Sequence, residues 1–184
     1  MLKIYTDNIL LASGWQQDKT LLIDDGLIKS IITGYEPGAE RLNGAVIPGM
    51  VNCHSHAFQR AFAGFSEQGS EENDSFWTWR KVMYQFLQQL TDLDAEVIAT
   101  QVYIEMLKMG YTRVAEFHYL HHDINGAPYP KLSQMAKAIF NASHTSGIGL
   151  TLLPVLYCFS GFGALPANSG QQRFINSPSQ FNLL

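Results

Sequence analysis

Apolar and polar positions change their period along this chain. Between residues 2 and 34 short alternating or apolar runs are broken by turn residues, and 3–12, 20–24 and 27–33 read as strands. Asp25-Gly26 stands between the last two as a hairpin turn. A polar connection with Gly and Pro, 34–44, leads into AVIPGMVNCHSH at 45–56: an apolar run, a Pro-Gly break, a second apolar run, then two histidines one residue apart. This stretch reads as a buried strand. The spacing then becomes helical over 74–90 and 93–109, the second helix opened by Thr91 with Asp94 three residues on, a capping-box variant, and ended by Gly110. Residues 111–119 read as a strand, 123–130 as a turn-rich loop, 131–146 as a helix stopped by Gly147, 148–157 as an apolar strand and 160–170 as a Gly-rich loop. The closing SPSQFNLL has the look of another helix opening.

Strands that are apolar throughout and alternate with helices predict a parallel sheet with crossover helices. The expected class is α/β. Residues 1–44 are expected to form a small antiparallel β layer, and 45–184 the first βα units of a barrel. About three barrel strands are present, whereas a closed (β/α)8 TIM-like barrel takes about 250 residues. The expectation is therefore the N-terminal part of such a barrel, incomplete in this chain, and the chain reads as a fragment.

Composition narrows the partners. With 184 residues, 46% of them hydrophobic, the chain can bury a real core. Its 12 Lys+Arg are scattered and outnumbered by 16 Asp+Glu, which argues against nucleic acid. No apolar run approaches the roughly 18 residues of a membrane helix, and MLKIYTDNILLASGW lacks the pattern of a signal peptide. Cys53 and Cys158 sit in apolar, strand-like sequence and read as isolated buried thiols, which fits a reducing, cytoplasmic setting.

The candidate chemistry starts at the histidine pair. Side chains alternate across a strand, so His54 and His56 share a face while Ser55 points away. Two neutral imidazoles held that way make two arms of a divalent metal site, zinc first. Arg80 lies on the helical stripe of Phe76, Met83 and Leu87, with Lys81 facing elsewhere. A buried guanidinium needs an anion: an internal partner such as Glu105 or Glu116, or a substrate carboxylate, which its fork suits. In YTRVAEFHYLHH, alternation puts Val114, Glu116 and His118 on one face and Ala115, Phe117 and Tyr119 on the other. Either His118 or Tyr119 reaches the end of the strand where a barrel builds its site. His121 and His122 stand open as ligands, acid/base groups or loop residues that tie down carbonyls. Gln59 is placed to donate into the same mouth. Gly161 and Gly163 are expected to shape a loop closing over a pocket, and Met106, Met109 and Met135 to sit in the core. Neither a Gly-x-Ser-x-Gly nor a phosphate-binding Gly-rich motif is present.

Together PGMVNCHSHAFQRAFAG, DSFWTWR, VAEFHYLHHD and GIGLTLLPVLY resemble the amidohydrolase superfamily and, more narrowly, its formimidoylglutamate deiminase family. The resemblance runs along the whole chain and matches the front part of such an enzyme. It implies a (β/α)8 barrel flanked by a small β domain, and one zinc ion with His54 and His56 as the first two ligands. Gln59, Arg80 and Tyr119 match positions that contact the glutamate portion of the substrate. The implied reaction is hydrolysis of N-formimino-L-glutamate to N-formyl-L-glutamate and ammonia, in histidine degradation, with a homodimer compatible with the intact enzyme. The family's third zinc-binding His, a nearby Glu, a catalytic His and a zinc-bound Asp belong to later strands, so the isolated chain is expected to be inactive. Two other readings remain: a related aminohydrolase with a purine- or pterin-like substrate, and a non-catalytic remnant or binding module.

Overall fold

The computed structural model describes residues 1–66 and 75–184; Asp74, the expected start of the first long helix, lies outside the described residues. The chain divides into two compact units, Met1–Gly49 and Met50–Leu184.

In the first unit β1 (Leu2–Leu11), β2 (Gly14–Asp24) and β3 (Leu27–Thr33) form an antiparallel meander. Asp25 and Gly26 both take positive φ, 50° and 70°, as a two-residue turn matched to the twist of its strands requires. A fourth strand, β4 (Glu40–Val46), pairs parallel with β1, giving the order β3-β2-β1-β4. The layer is therefore mixed, not antiparallel, and the division falls after Gly49 instead of after residue 44. The sequence ERLNGAV hides this strand because it lies at a sheet edge, with only Leu42 and Val46 partly buried. Its backbone, more than its side chains, makes the pairing.

The second unit carries three parallel strands in the order β5-β6-β7: β5 (Met50–Ser55), β6 (Tyr111–His118) and β7 (Gly149–Pro154). Between β5 and β6 run a 3-10 turn (Ala57–Phe62), α1 (Phe76–Leu87) and α2 (Asp92–Lys108); α3 (Gln134–Ser146) connects β6 to β7. Ser75 caps α1 and Thr91 caps α2, each in a reciprocal capping box. Gly147 closes α3 in the left-handed region, φ 83°, where a side chain would be strained. After β7 come a single 3-10 turn (Ser169–Gln171) and α4 (Pro178–Phe181). One core cluster joins Ala99 and Tyr103 of α2 to Val114, Ile139 and Ala142; a second gathers Phe58, Phe62, Met83, Leu87, Leu120 and Phe174.

Some expectations are corrected. β5 is an edge strand, not a buried one: Met50 and Val51 are 44% and 51% exposed. Cys53 on it is exposed and Cys158 only half-buried, so neither is a core thiol. Met135 is buried and Met106 packs at the core margin, but Met109, at the helix cap, is exposed. The last strand stops at Pro154. Among the described residues no helix is long and apolar enough to cross a membrane.

Candidate active site

His54 is the last residue but one of β5 and His56 follows the strand directly, so the alternation of the strand turns both rings to one side. Their Nε2 atoms lie 3.0 Å apart, with the rings nearly perpendicular. The Phe117 carbonyl, 3.1 Å from His56 Nδ1, can only accept, so the His56 proton sits on Nδ1 and its Nε2 lone pair faces His54. Burial pulls the His56 imidazole below its ordinary pKa, with the carbonyl opposing, which favours the neutral, ligating form. His54 stacks on the Phe117 ring at 4.6 Å. Two nitrogens on a tetrahedral zinc with Zn–N of about 2.0–2.1 Å stand about 3.3–3.4 Å apart. The pair fits two arms of such a site. Among the described residues, no group of three or more His, Cys, Asp or Glu side chains is placed to hold a metal.

The residues flanking His56 are fixed from beneath by Glu116, which is 1% exposed. Its Oε1 accepts the Ala57 N–H at 2.6 Å, its Oε2 accepts the Tyr103 hydroxyl at 3.2 Å, and the Ser55 hydroxyl also donates to it. Burial pushes the Glu116 carboxyl up, while these three bonds pull it down. Glu116 is thus committed to the histidine strand and does not pair with Arg80. Glu105 does not either; it meets Arg60 at 3.2 Å.

A cavity of about 320 Å3 opens beside His56, lined by Gln59, Arg80, Tyr84, Tyr119 and Tyr157 over aromatic walls that include Trp79 and Phe174. Arg80 is half-buried, as the stripe of Met83 and Leu87 predicts, although Phe76 on the same stripe is exposed. Its Nε donates to the Tyr84 hydroxyl at 2.6 Å and its Nη2 to the Tyr157 hydroxyl at 3.3 Å. The guanidinium also lies within 6 Å of the Phe76, Trp77 and Tyr84 ring centres. No carboxylate meets it among the described residues. Tyr119 enters the cavity and packs edge-on against His56 at 5.3 Å.

The other histidines lie away from this cavity. His118 points to the opposite face of β6, into a smaller space of about 220 Å3 shared with His121, and burial drives its pKa down to about 3. His121 donates from Nε2 to the Val155 carbonyl at 3.0 Å, and His122 to the Ile175 carbonyl at 2.6 Å. Both rings thus make the contact expected of the last of their three readings, a bond to a loop carbonyl. Arg173, also buried, donates to the His122 carbonyl at 3.1 Å and to the Leu87 carbonyl that ends α1. Gly163 takes a positive φ, but Phe162 beside it is fully exposed, and neither Gly161 nor Gly163 lines the cavity. Sequence reasoning missed Tyr84, Tyr157 and Glu116 as members of the site. Tyr84, one helical turn after Arg80, was within reach of a spacing argument; Tyr157, 77 residues away, was not.

No family model matches the chain. It is 51% identical over 183 residues to formimidoylglutamate deiminase from Pseudomonas aeruginosa, covering 98% of this chain and 40% of that protein. An amidohydrolase from Brucella melitensis superposes with a TM-score of 0.92 at 48% identity, over 98% of this chain and 41% of that one. An adenosine deaminase from Xanthomonas campestris with bound zinc shares the fold, with a TM-score of 0.60 at 16% identity over 92% of this chain and 37% of its own. The chain spans about two fifths of the length of the first two of these proteins. In sequence and in fold it is similar to the amidohydrolases, and along 98% of its length to formimidoylglutamate deiminase in particular.

Proposed function

We propose that this chain forms the front of a (β/α)8 barrel enzyme that hydrolyses N-formimino-L-glutamate to N-formyl-L-glutamate and ammonia, with zinc held in part by His54 and His56. The observation that carries the reading is one shared cavity. His56, whose ring faces that of His54, lines it, and a guanidinium with no carboxylate partner among the described residues stands in its wall. An amidine at one end of the substrate and a carboxylate at the other match those two features. The similarity to formimidoylglutamate deiminase supports the choice of substrate.

When bound, zinc supplies a Lewis acid that brings the pKa of water toward neutrality. Water adds to the formimino carbon, the C–N bond to the terminal nitrogen breaks, and that nitrogen leaves as ammonia. This chain's residues set the geometry. Arg80 takes a substrate carboxylate through its fork, Tyr119 and Gln59 offer hydrogen bonds beside it, and the aromatic walls flank the chain between. The Phe117 carbonyl holds the His56 proton on Nδ1. Proton transfer to the leaving nitrogen needs an acid/base group near the metal, and this reading assigns it, with the remaining ligands, to sequence outside this chain. The cytoplasm is the proposed compartment, and a homodimer is proposed for the intact enzyme.

The test is a fusion in which this sequence replaces the corresponding segment of the Pseudomonas aeruginosa deiminase. It should release ammonia from N-formimino-L-glutamate, and the 184-residue chain alone should not. Arg80→Met in the fusion should lower kcat/KM by about 100-fold or more, the loss of a charge-assisted carboxylate contact. Undiminished turnover by Arg80→Met would overturn the glutamate reading.

A further inference from the structure

We propose that Tyr157 is a further carboxylate-binding residue, held as a hydrogen-bond donor by Gln171. This rests on the reading of Arg80 as the substrate's carboxylate anchor and extends it.

Gln171 is fully buried. Its Oε1 accepts the Asn168 N–H at 2.9 Å, which fixes which end of the amide is which, and its Nε2 then reaches the Tyr157 hydroxyl at 2.9 Å. Arg80 Nη2 reaches the same oxygen at 3.3 Å. An amide NH2 and a guanidinium only donate, so both bonds end on lone pairs of the Tyr157 oxygen. A phenol has two lone pairs and one hydrogen. With both pairs taken, Tyr157 has only its hydrogen left to offer, and it lines the cavity. Tyr84 repeats the arrangement on the other side of the guanidinium, accepting from Arg80 Nε at 2.6 Å and from the Gln171 side chain. Gly170 lies flat under the Tyr84 ring, where a Cβ would come within 2.6 Å of it, so the ring has one seat.

The result is a guanidinium between two phenols whose free hydrogens both need acceptors. A neutral amide brings one acceptor together with donors that would face other donors. A carboxylate brings two oxygens and acceptors only, which suits two donors and a guanidinium together. Tyr157 therefore touches the carboxylate, and Gln171 is a positioning residue that sets the direction of its hydrogen.

The experiment titrates the 184-residue chain with glutarate and with its uncharged diamide, glutaramide, following the fluorescence of Trp77 and Trp79 beside Arg80, with circular dichroism confirming that each variant folds. The wild-type chain should prefer glutarate. Tyr157→Phe should weaken glutarate binding about tenfold and leave glutaramide binding nearly unchanged, a split that a merely structural role would not give. Gln171→Glu should abolish glutarate binding, because the new carboxylate accepts the Tyr157 hydrogen and lies beside Arg80. Gln171→Leu should act in the same direction but more weakly. If Arg80→Met loses glutarate while Tyr157→Phe binds it like wild type, Tyr157 is not a contact and the inference falls alone. If the wild-type chain shows no preference for glutarate, or Arg80→Met keeps it, the carboxylate reading of the cavity falls and this inference with it.

Discussion

A buried carboxylate that accepts three hydrogen bonds holds its donors in place, and removing it strands all three. Glu116 occupies that position under the histidine strand, with Ala57 N–H, Tyr103 O–H and Ser55 O–H all aimed at it. Each buried donor left unsatisfied costs about 1–3 kcal/mol. Glu116→Leu should therefore destabilise the chain by at least about 3 kcal/mol in urea unfolding, whereas Tyr103→Phe, which removes one donor and leaves the acceptor, should cost only about 1 kcal/mol. Equal stability of Glu116→Leu and wild type would show that the carboxylate organises nothing. The residue also marks where the sequence stops being informative. Alternation along 111–119 puts Glu116 and His118 on one face and Tyr119 on the other, and they lie so. What alternation leaves open is the partner. Arg80 needed an anion within the chain or outside it, and that Glu116 and Glu105 are each committed elsewhere shows only when residues far apart in sequence are brought together.

At the scale of elements, the legible ones carry their own chemistry and the hidden ones borrow it. Asp25-Gly26 dictates its turn, and Gly147 ends α3 through a conformation only glycine adopts freely. By contrast β4 has polar side chains and owes its existence to β1, while β5, read as buried from its apolar letters, lies at an edge. The clearest local signal is the start of α2. Thr91 Oγ1 accepts the Asp94 N–H at 3.1 Å and Asp94 Oδ2 accepts the Thr91 N–H at 2.9 Å. The Thr91 hydroxyl, which donates to Asp94 Oδ2 at 2.6 Å, and after it the Thr91 N–H hold the Asp94 carboxyl below the usual carboxylate range. Because α2 packs Ala99 and Tyr103 into one core cluster, fraying its first turn loosens that cluster as well. Thr91→Ala should cost about 1 kcal/mol of stability, while Thr91→Ser, which keeps the oxygen, should cost a few tenths at most. Comparable losses for both substitutions would mean that the methyl group, not the cap, matters.

For the molecule as a whole, the histidines that do not reach the cavity make folding sensitive to acid. His118 and His121 are buried as neutral rings, and desolvation is the first cause of the lowered pKa of each; His118 is driven from an ordinary value near 6.5 to about 3. The sign follows from proton counting. Below about pH 6.5 the unfolded chain protonates these rings while the folded chain does not, so protons favour unfolding. Their contribution is intact above the unfolded value and is lost progressively as pH falls below it, for His118 down toward about 3. Each such group adds a slope of up to about 1.4 kcal/mol per pH unit inside that window. Carboxylates held low by their hydrogen bonds, Asp7, Asp94 and Glu105, act in the same direction but only nearer pH 4, where their unfolded forms begin to protonate. Between pH 6.5 and 5 those carboxylates are silent, while His56 acts with the two rings and the raised Glu116 carboxyl acts against them. The part due to His118 is therefore read from the difference between wild type and a variant that cannot protonate there. Urea midpoints measured at half-unit steps should fall steadily across that interval, and His118→Gln, which cannot take up a proton, should fall less steeply than wild type. Equal slopes for wild type and His118→Gln across that interval would mean that the His118 ring is not held neutral by the fold. In that case the face of β6 turned away from the cavity is open to water, and the sheet that carries His54 and His56 lacks the dry backing its position requires.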